Sequence, residues 1–345
     1  MYIKNMNIKN MNIKNMYIKN MYIKNMYILN NKIFLVSVLI LILFFIIIDR
    51  NRKEFFSDYF LELNKSKKIM SNKSYFNHFN KNDYKLRNCK NKQDCINNYS
   101  KNTIKFTERE KKILNEFVND FLNKVGNFKA LFENMKFIKV TDNIESSMPH
   151  TREDCIVFSE KWINTFLEDN NRTQFYKLLA HEQLHILQRQ NPDKFKILYE
   201  EYWNLIQIPE LPKILKNINR TNPDALPNNL WVFPSKNGYY LPLCIYNNNN
   251  SLRDTSNVYF SCENKNNKFI FLNLEEEIKE PKLLSQNKEF TDFFGYDSSN
   301  NYHPNEIASS LFEIIIDNQI NNKEMAKFPA INKMNDVIKT FRLHL

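Results

Sequence analysis

Glycine is nearly missing from this chain of 345 residues, which contains only three, whereas Asn, Lys and Ile are abundant throughout. That bias is typical of A+T-rich coding DNA, so the Asn run at residues 247–250 carries no structural prediction. No two of the five cysteines form a Cys-x-x-Cys sequence, which argues against a structural zinc ribbon. Hydrophobic residues make up 43% of the chain, so a packed core is feasible, and the length suits one catalytic domain with appendages or two small domains.

Acidic residues are almost absent from residues 1–53, which hold nine basic side chains and the single acid Asp49. This segment therefore carries +8 of the net charge of +11 and leaves only +3 for the remainder. Because the excess flanks an apolar segment, we expect no nucleic-acid partner. The alternative, nucleic-acid binding through the basic repeat of residues 1–31, would show a steep salt dependence.

Residues 1–31 form a low-complexity tail of pentapeptide repeats, and a period of five fits neither a helix nor a strand. Residues 33–48 are apolar except for Ser37, and no small-x-small cleavage site follows them. An uncleaved transmembrane signal anchor is therefore predicted over residues 32–49, with membrane contact through residues 33–48. The basic flank favours a single-pass protein whose C-terminal domain is extracytoplasmic, in a secretory compartment or in a host or virion membrane.

The rest of the chain predicts an α+β fold. Residues 50–106 are rich in Asn, Lys and Ser and are interpreted as a stalk or lead-in, whereas a capping box at residues 107–110 marks the start of the main domain, residues 107–345. Within that domain, residues 230–274 predict a β meander, which would be an insertion. Helices are predicted at residues 107–124, 172–189, 192–206, 304 onward and 331–343, and strands at residues 136–140 and 154–158.

The cysteines allow two redox interpretations. Cys89 with Cys95, and Cys244 with Cys262, are candidate local disulfides in an oxidising compartment, which leaves Cys155 as a buried thiol. Five reduced thiols in a cytosolic domain are the alternative.

A His-Glu-x-x-His sequence at residues 181–185 lies within a run of helical apolar spacing. Residues four apart share one helix face, so His181 and His185 would project side by side and could take two corners of a tetrahedral zinc site. Glu182, beside the first histidine, would be the general base that accepts a proton from a zinc-bound water.

A catalytic zinc needs a third protein ligand. A longer pattern with a third histidine is excluded, because Gln188 and Asn191 stand where that pattern has glycine and histidine. The ligand is then expected to be a carboxylate on a downstream helix. Glu306 is the first candidate, although it also lies on a polar helical stripe that could be a solvated face, and Glu200 or Glu201 is the rival.

The segment at residues 302–309 resembles the Asn-Glu-x-x-Ser/Ala helix that supplies the glutamate ligand in gluzincins, the thermolysin-like zinc peptidases. Taken with residues 181–185, this resemblance implies a zincin-like catalytic domain with Glu306 as the third ligand. Ser310 stands where those enzymes place an aspartate that orients a ligand histidine, so Glu313 is expected to take that role.

Further segments widen the resemblance to uncharacterised zinc metallopeptidase-like proteins of large DNA viruses and some microbes. These segments are residues 148–151, 178–189, 222–224 with Trp231, and 303–306, and together they extend the likeness over residues 107–345. A hydrolase also needs a group that stabilises the developing oxyanion, and His150 and His303 are the candidates.

Together these observations predict a membrane-anchored zinc metallopeptidase that hydrolyses peptide bonds by Glu-assisted attack of zinc-bound water. The implied cofactor is Zn²⁺ and the implied partner is a peptide or protein substrate. The alternative is a catalytically inactive zincin-fold surface or virion membrane protein.

Overall fold

The computed structural model of the chain divides into two compact units, Met1–Asp58 and Tyr59–Leu345. It describes residues 40, 42–44, 59–169, 171–225, 230–247, 251–266, 268–295, 301–324 and 327–342. In the first unit the few described residues are helical and exposed, whereas the low-complexity tail predicted for residues 1–31 lies outside the described part.

The prediction of a transmembrane helix is wrong. Among the described residues, no helix has both the length and the apolar character that crossing a bilayer requires. Most of the predicted anchor, residues 33–48, lies outside the described residues, and the four described residues of that stretch carry no span. The predicted fold class is therefore wrong in its N-terminal transmembrane helix, and the predicted localisation as a single-pass membrane protein is wrong as well.

The second unit is α+β. Its helices are α1 (Leu63–Met70), α2 (Lys73–Phe76), α3 (Lys81–Leu86), α4 (Lys92–Lys101), α5 (Glu108–Lys124), α6 (Glu160–Asp169), α7 (Arg172–Gln190), α8 (Pro192–Ile197), α9 (Lys213–Ile218), α10 (Leu274–Lys279), α11 (Lys288–Phe294), α12 (Pro304–Asn321) and α13 (Pro329–Arg342). Its strands are β1 (Thr103–Ile104), β2 (Phe137–Val140), β3 (His150–Arg152), β4 (Cys155–Ser159), β5 (Ile206–Ile208), β6 (Leu230–Ser235), β7 (Gly238–Tyr246), β8 (Thr255–Lys265), β9 (Lys268–Phe271) and β10 (Lys282–Leu283).

A four-stranded sheet of order β1-β2-β4-β3 lies beside the long helix α7. Strands β2 and β4 pair in parallel and are wholly buried, whereas β3 is an edge strand antiparallel to β4. Helix α7 is buried along most of its length, because its Phe, Leu and Ile side chains point both to the sheet and to α5 and α12. The aromatic core includes the stacked pair Phe132 and Phe312, with ring centroids 5.9 Å apart.

The second sheet has six strands rather than a small meander. Its order is β10-β8-β7-β6-β5, with β9 on the far part of β8. Strands β6 to β9 account for the predicted meander at residues 230–274, but β5 and β10 lie outside those bounds. Helix α8 also ends at Ile197, where a π-helical turn follows and the chain leads into β5, so the helix predicted to residue 206 is shorter.

Residues 59–106 pack into the same unit as the site helices, although composition indicated a stalk. Helices α1 to α4 surround a small core, and β1 pairs with β2. At its centre Arg87, 3% exposed, donates from Nη1 to Asp83 and from Nε and Nη2 to Glu145, with nitrogen–oxygen distances of 2.9 to 3.0 Å. This segment thus combines a small apolar core with a buried network of ion pairs.

One of the two predicted disulfides is present and the other is not. Cys89 and Cys95 form the first pair, which is confirmed, and Cys155 is a buried thiol as expected. The second predicted pair is wrong, because Cys244 and Cys262 are separate buried thiols. They do lie on paired strands, but Cys244 is opposite Asn257 and Cys262 is opposite Tyr239, so the register keeps them apart.

We expect Arg87→Met to lower the free energy of unfolding by about 3–5 kcal/mol, because it leaves two buried carboxylates without their cation. Urea unfolding measures the loss. The control is Lys111→Met, which removes an ion pair with the 88%-exposed Glu108 and should cost no more than about 1 kcal/mol. Equal losses in the two variants would contradict the importance of the buried network.

Glu145 should make the stability depend on acid pH. Burial alone would raise the pKa of Glu145, but Arg87 and His150 bring it down to about 2. A depressed pKa means that stabilisation is present above about pH 4.5, the ordinary value, and is lost as the pH falls through about 2. The stability gap between the natural chain and Glu145→Gln should therefore close between these values in urea unfolding, and a constant gap would refute this assignment.

Candidate metal centre

Helix α7 brings the two motif histidines together at the wall of a cavity. Its first turn is capped by Asn171, whose side chain accepts from the backbone N–H of Gln174 at 3.2 Å. Helical spacing then places His181 and His185 on one face, with ring centroids 4.8 Å apart and side chains almost fully buried. Both histidines line a cavity of about 320 Å³, called here the site cavity.

Helix α12 supplies the third group. It begins at Pro304, and His303 caps it by accepting from the backbone N–H of Asn305 at 3.1 Å. Since α12 packs along α7, Glu306 in its first turn faces both histidines. The Glu306 carboxylate oxygens lie 3.4 Å from His181 Nε2 and 3.7 Å from His185 Nε2.

These separations fit two ligands of one ion better than direct hydrogen bonds. Charge-assisted N–H···O bonds are about 2.7–2.9 Å long. Ligands at about 2.0–2.1 Å on a tetrahedral zinc ion are about 3.3 Å from each other. The three donor atoms lie within 4.8 Å of one another, and two imidazoles with one carboxylate form a common catalytic zinc set. The residues present therefore fit zinc.

The Nδ1 atoms of His181 and His185 each have a side-chain partner on the side away from Glu306. Glu313 Oε1 lies 2.6 Å from His181 Nδ1, which is the contact expected for that residue. Gln188 Oε1 lies 2.9 Å from His185 Nδ1 and accepts its proton. Such partners fix the tautomer, so that each Nε2 presents its lone pair towards the centre.

The electrostatics around the three donors suit a cation. Burial lowers the pKa of His185, which keeps that ring neutral. Burial would raise the pKa of Glu306, but His185 and His181 hold it below its ordinary value, so the carboxylate is ionised. Burial also disfavours His181⁺, yet Glu306 and Glu313 outweigh that effect and raise its pKa well above the ordinary value. A proton and a metal ion therefore compete for His181.

An irregular segment between the two sheets orients Glu306. Asn222 donates from Nδ2 to Glu306 Oε1 at 2.7 Å and to the Tyr302 hydroxyl at 2.6 Å. Its Oδ1 accepts from the backbone N–H of Asp224 at 3.0 Å, which holds the segment in a tight turn. One Glu306 oxygen is thus fixed by an amide, and the other faces His181.

Glu182 lines the same cavity and is 4% exposed. Its Oε2 atom is buried without a hydrogen-bond partner among the described residues. Burial and the nearby Asp224 carboxylate raise the pKa of Glu182. A proton acceptor is therefore present beside the three donors, and its environment favours taking up a proton.

Asp224 forms a second group of donors with Glu182 and His185, again within 4.8 Å of one another. Its oxygens are already engaged, however. They accept from the Thr151 backbone N–H at 3.2 and 3.3 Å and from the Thr151 hydroxyl, and Arg189 Nη1 lies 3.3 Å away. Because the two groups share His185, they describe one centre, and Glu306 has the freer carboxylate.

No protein family, curated protein or solved structure matches this chain. The gluzincin resemblance thus stays a prediction based on the two short motifs.

The remaining candidates are placed differently. Glu200 and Glu201 are exposed in the π-helical turn after α8 and are not among the described residues that line the site cavity or form the donor groups. His303 caps α12 and is not among the described residues that line the site cavity. His150 does line it, but Met148 O lies 3.1 Å from its Nδ1 and must accept a proton from it. Because burial lowers the pKa of His150, the ring is neutral. Its Nε2 has no hydrogen-bond partner among the described residues and could accept a proton but not donate one to an oxyanion.

Sequence reasoning missed three supporting residues: Asn222, Asp224 and Gln188. The segment at residues 222–224 was part of a resemblance but received no role, because a turn 35 or more positions beyond the motif carries no periodicity. Gln188 was used only to exclude a longer motif. Its position one turn after His185 on the same helix could have indicated a partner for that ring.

We expect Glu313→Gln to weaken zinc affinity about 10- to 100-fold, because the neutral amide is a poorer partner for His181 Nδ1. Competition with a chromophoric chelator measures the affinity. Asp317→Asn is the matched control, since it makes the same change one turn further along α12, where the carboxylate pairs with Lys323. Equal affinities in the Glu313 variant and the natural chain would show that this contact does not support the centre.

Proposed function

We propose that this chain is a zinc-dependent hydrolase of peptide bonds. The observation that carries the proposal is the convergence of His181, His185 and Glu306 beside the buried, unpartnered Oε2 of Glu182. Three protein donors leave a fourth position of a tetrahedral ion open, as catalytic zinc sites do and structural zinc sites do not. The site cavity gives that position room for a ligand.

A zinc ion held by these donors would polarise the substrate carbonyl and lower the pKa of a coordinated water to about 7. Glu182 then acts as the general base: it takes a proton from the water whose oxygen attacks the carbonyl carbon. As the carbon–nitrogen bond breaks, Glu182 returns the proton to the leaving amine. Because its pKa is raised, Glu182 is a stronger base than an ordinary carboxylate, which favours the first half of this transfer.

The cost of burying Glu182 supports a functional role. A buried carboxylate oxygen without a hydrogen bond costs stability unless a ligand or solvent completes it. Glu182 also sits beside Asp224 and Glu306, which repel its charge. A structural metal site would not need a third carboxylate at this place, whereas a hydrolase does.

We expect Glu182→Gln to keep zinc binding and to lower peptide hydrolysis by about 10²- to 10⁴-fold, the usual contribution of a general acid–base group. Zinc content and cleavage of a mixed peptide pool, followed by mass spectrometry, are measured on the same preparation. Glu200→Gln is the control, because Glu200 is exposed and its one ion pair in the described part of the chain is with Lys196, at 3.8 Å.

Full hydrolysis by the Glu182 variant would refute the assignment of the base. A natural chain that binds zinc and cleaves nothing in the pool would favour the alternative of a metal-binding protein without catalysis.

A further inference from the structure

Two arginines line the site cavity, and neither pairs with a carboxylate within the described part of the chain. Arg220 makes no side-chain hydrogen bond or ion pair within the described structure, and only its backbone N–H bonds, to Cys244 O at 2.8 Å. Arg253 is exposed and donates from Nε and Nη2 to the Ser146 carbonyl at 3.0 and 2.8 Å. By contrast, Arg87 and Arg189 each pair with a carboxylate.

The position of Arg220 is fixed while its head group is not bonded. Its backbone is held where Asn219 bridges to Ile245 at the end of β7, and the residue is partly buried. Arg220 lines the same cavity as the three metal donors. Burial would lower its pKa, but Cys244, Tyr302, Tyr246 and Glu306 outweigh that effect and raise it. A guanidinium presents five donors in a planar fork and stays charged at all accessible pH values.

The charges around the site cavity would balance when zinc is bound. The five lining carboxylates and Asp83, which shares Arg87 with Glu145, carry six negative charges. Zinc together with Arg87, Arg189, Arg220 and Arg253 would bring six positive charges. No net negative charge would then oppose an anion that binds Arg220.

We propose that Arg220 binds a substrate carboxylate, so that the site selects peptides with an acidic side chain or a free C-terminal carboxylate close to the scissile bond. This inference rests on the proposed peptidase function and names its substrate class. A carboxylate accepts two parallel N–H···O bonds from a guanidinium, which supplies the missing partner. Arg253, tied to the loop at residues 145–147, adds to the attraction from the rim.

The test uses four synthetic peptide pools that differ only in Glu or Gln at one position and in a free or amidated C terminus. The zinc-loaded full chain should cleave the preferred carboxylate pool with a kcat/KM at least about 10-fold above its neutral counterpart. The Glu/Gln arm and the free/amide arm identify which carboxylate is bound. Arg220→Gln should remove this preference by lowering kcat/KM on the carboxylate pool about 10-fold, to the level of the neutral pool.

Three controls keep the result interpretable. Arg220→Lys retains the charge without the fork and should keep only part of the preference. Arg172→Gln makes the same change at an arginine that pairs with Asp120 outside the site cavity, and the preference should stay intact. Urea unfolding shows whether the Arg220 variants are folded.

An equal rate on all four pools, or an equal loss on all four pools in Arg220→Gln, would overturn the inference while leaving the peptidase function standing. The second result would mean that Arg220 stabilises every transition state alike. If the natural chain cleaves nothing, the proposed function fails and retention of the pools on the immobilised, zinc-loaded chain decides. Stronger retention of a carboxylate pool that Arg220→Gln abolishes supports the carboxylate site, and equal retention overturns it.

Discussion

The packing of α12 along α7 is the contact on which the candidate centre depends. Glu306 and the two histidines are about 120 positions apart in the chain, and only this helix pair brings their atoms to 3.4 and 3.7 Å. Leu179 and Leu184 on α7 and Ile307 and Leu311 on α12 are buried in the same apolar core, which fixes the register of the packed pair. A shift of one residue along either helix would turn a donor away from the centre.

Polar residues around this helix pair hold the three metal donors in place through hydrogen bonds. Each donor has a partner on its outer side: Glu313 for His181, Gln188 for His185 and Asn222 for Glu306. Gln188 donates in turn to the backbone of Asn305, so the support of one helix reaches the first turn of the other. Buried polar groups are costly unless their partners are all in place, which makes this arrangement rigid. Rigid donors are what a metal site with an open position requires.

Local patterns predicted the parts of the site that lie on regular helices. The capping box at Thr107, the helix that carries His181 and His185, and the helix start at Pro304 are all present. Each of these depends on residues within a few positions of one another, which periodicity and capping rules can capture.

The predictions that the structure corrects relied on composition alone or concerned contacts between segments that are distant in the sequence. Residues 59–106 were too polar to predict a core, yet Arg87 reaches Glu145 across 58 positions and is buried there. Cys244 and Cys262 lie on paired strands, but the register that separates them is set by the whole length of β7 and β8. Asn222 and Asp224 stand on an irregular turn, where the sequence has no period to indicate which side chain faces the site.

The most direct test is zinc K-edge X-ray absorption on the full chain loaded with one equivalent of zinc. The account predicts a first shell of two imidazoles and further oxygen ligands at about 2.0–2.2 Å, and no sulfur. Glu306→Gln should change that shell, while the two imidazole signals stay. A sulfur scatterer at about 2.3 Å, or a chain that retains no zinc, would contradict a centre built from His181, His185 and Glu306.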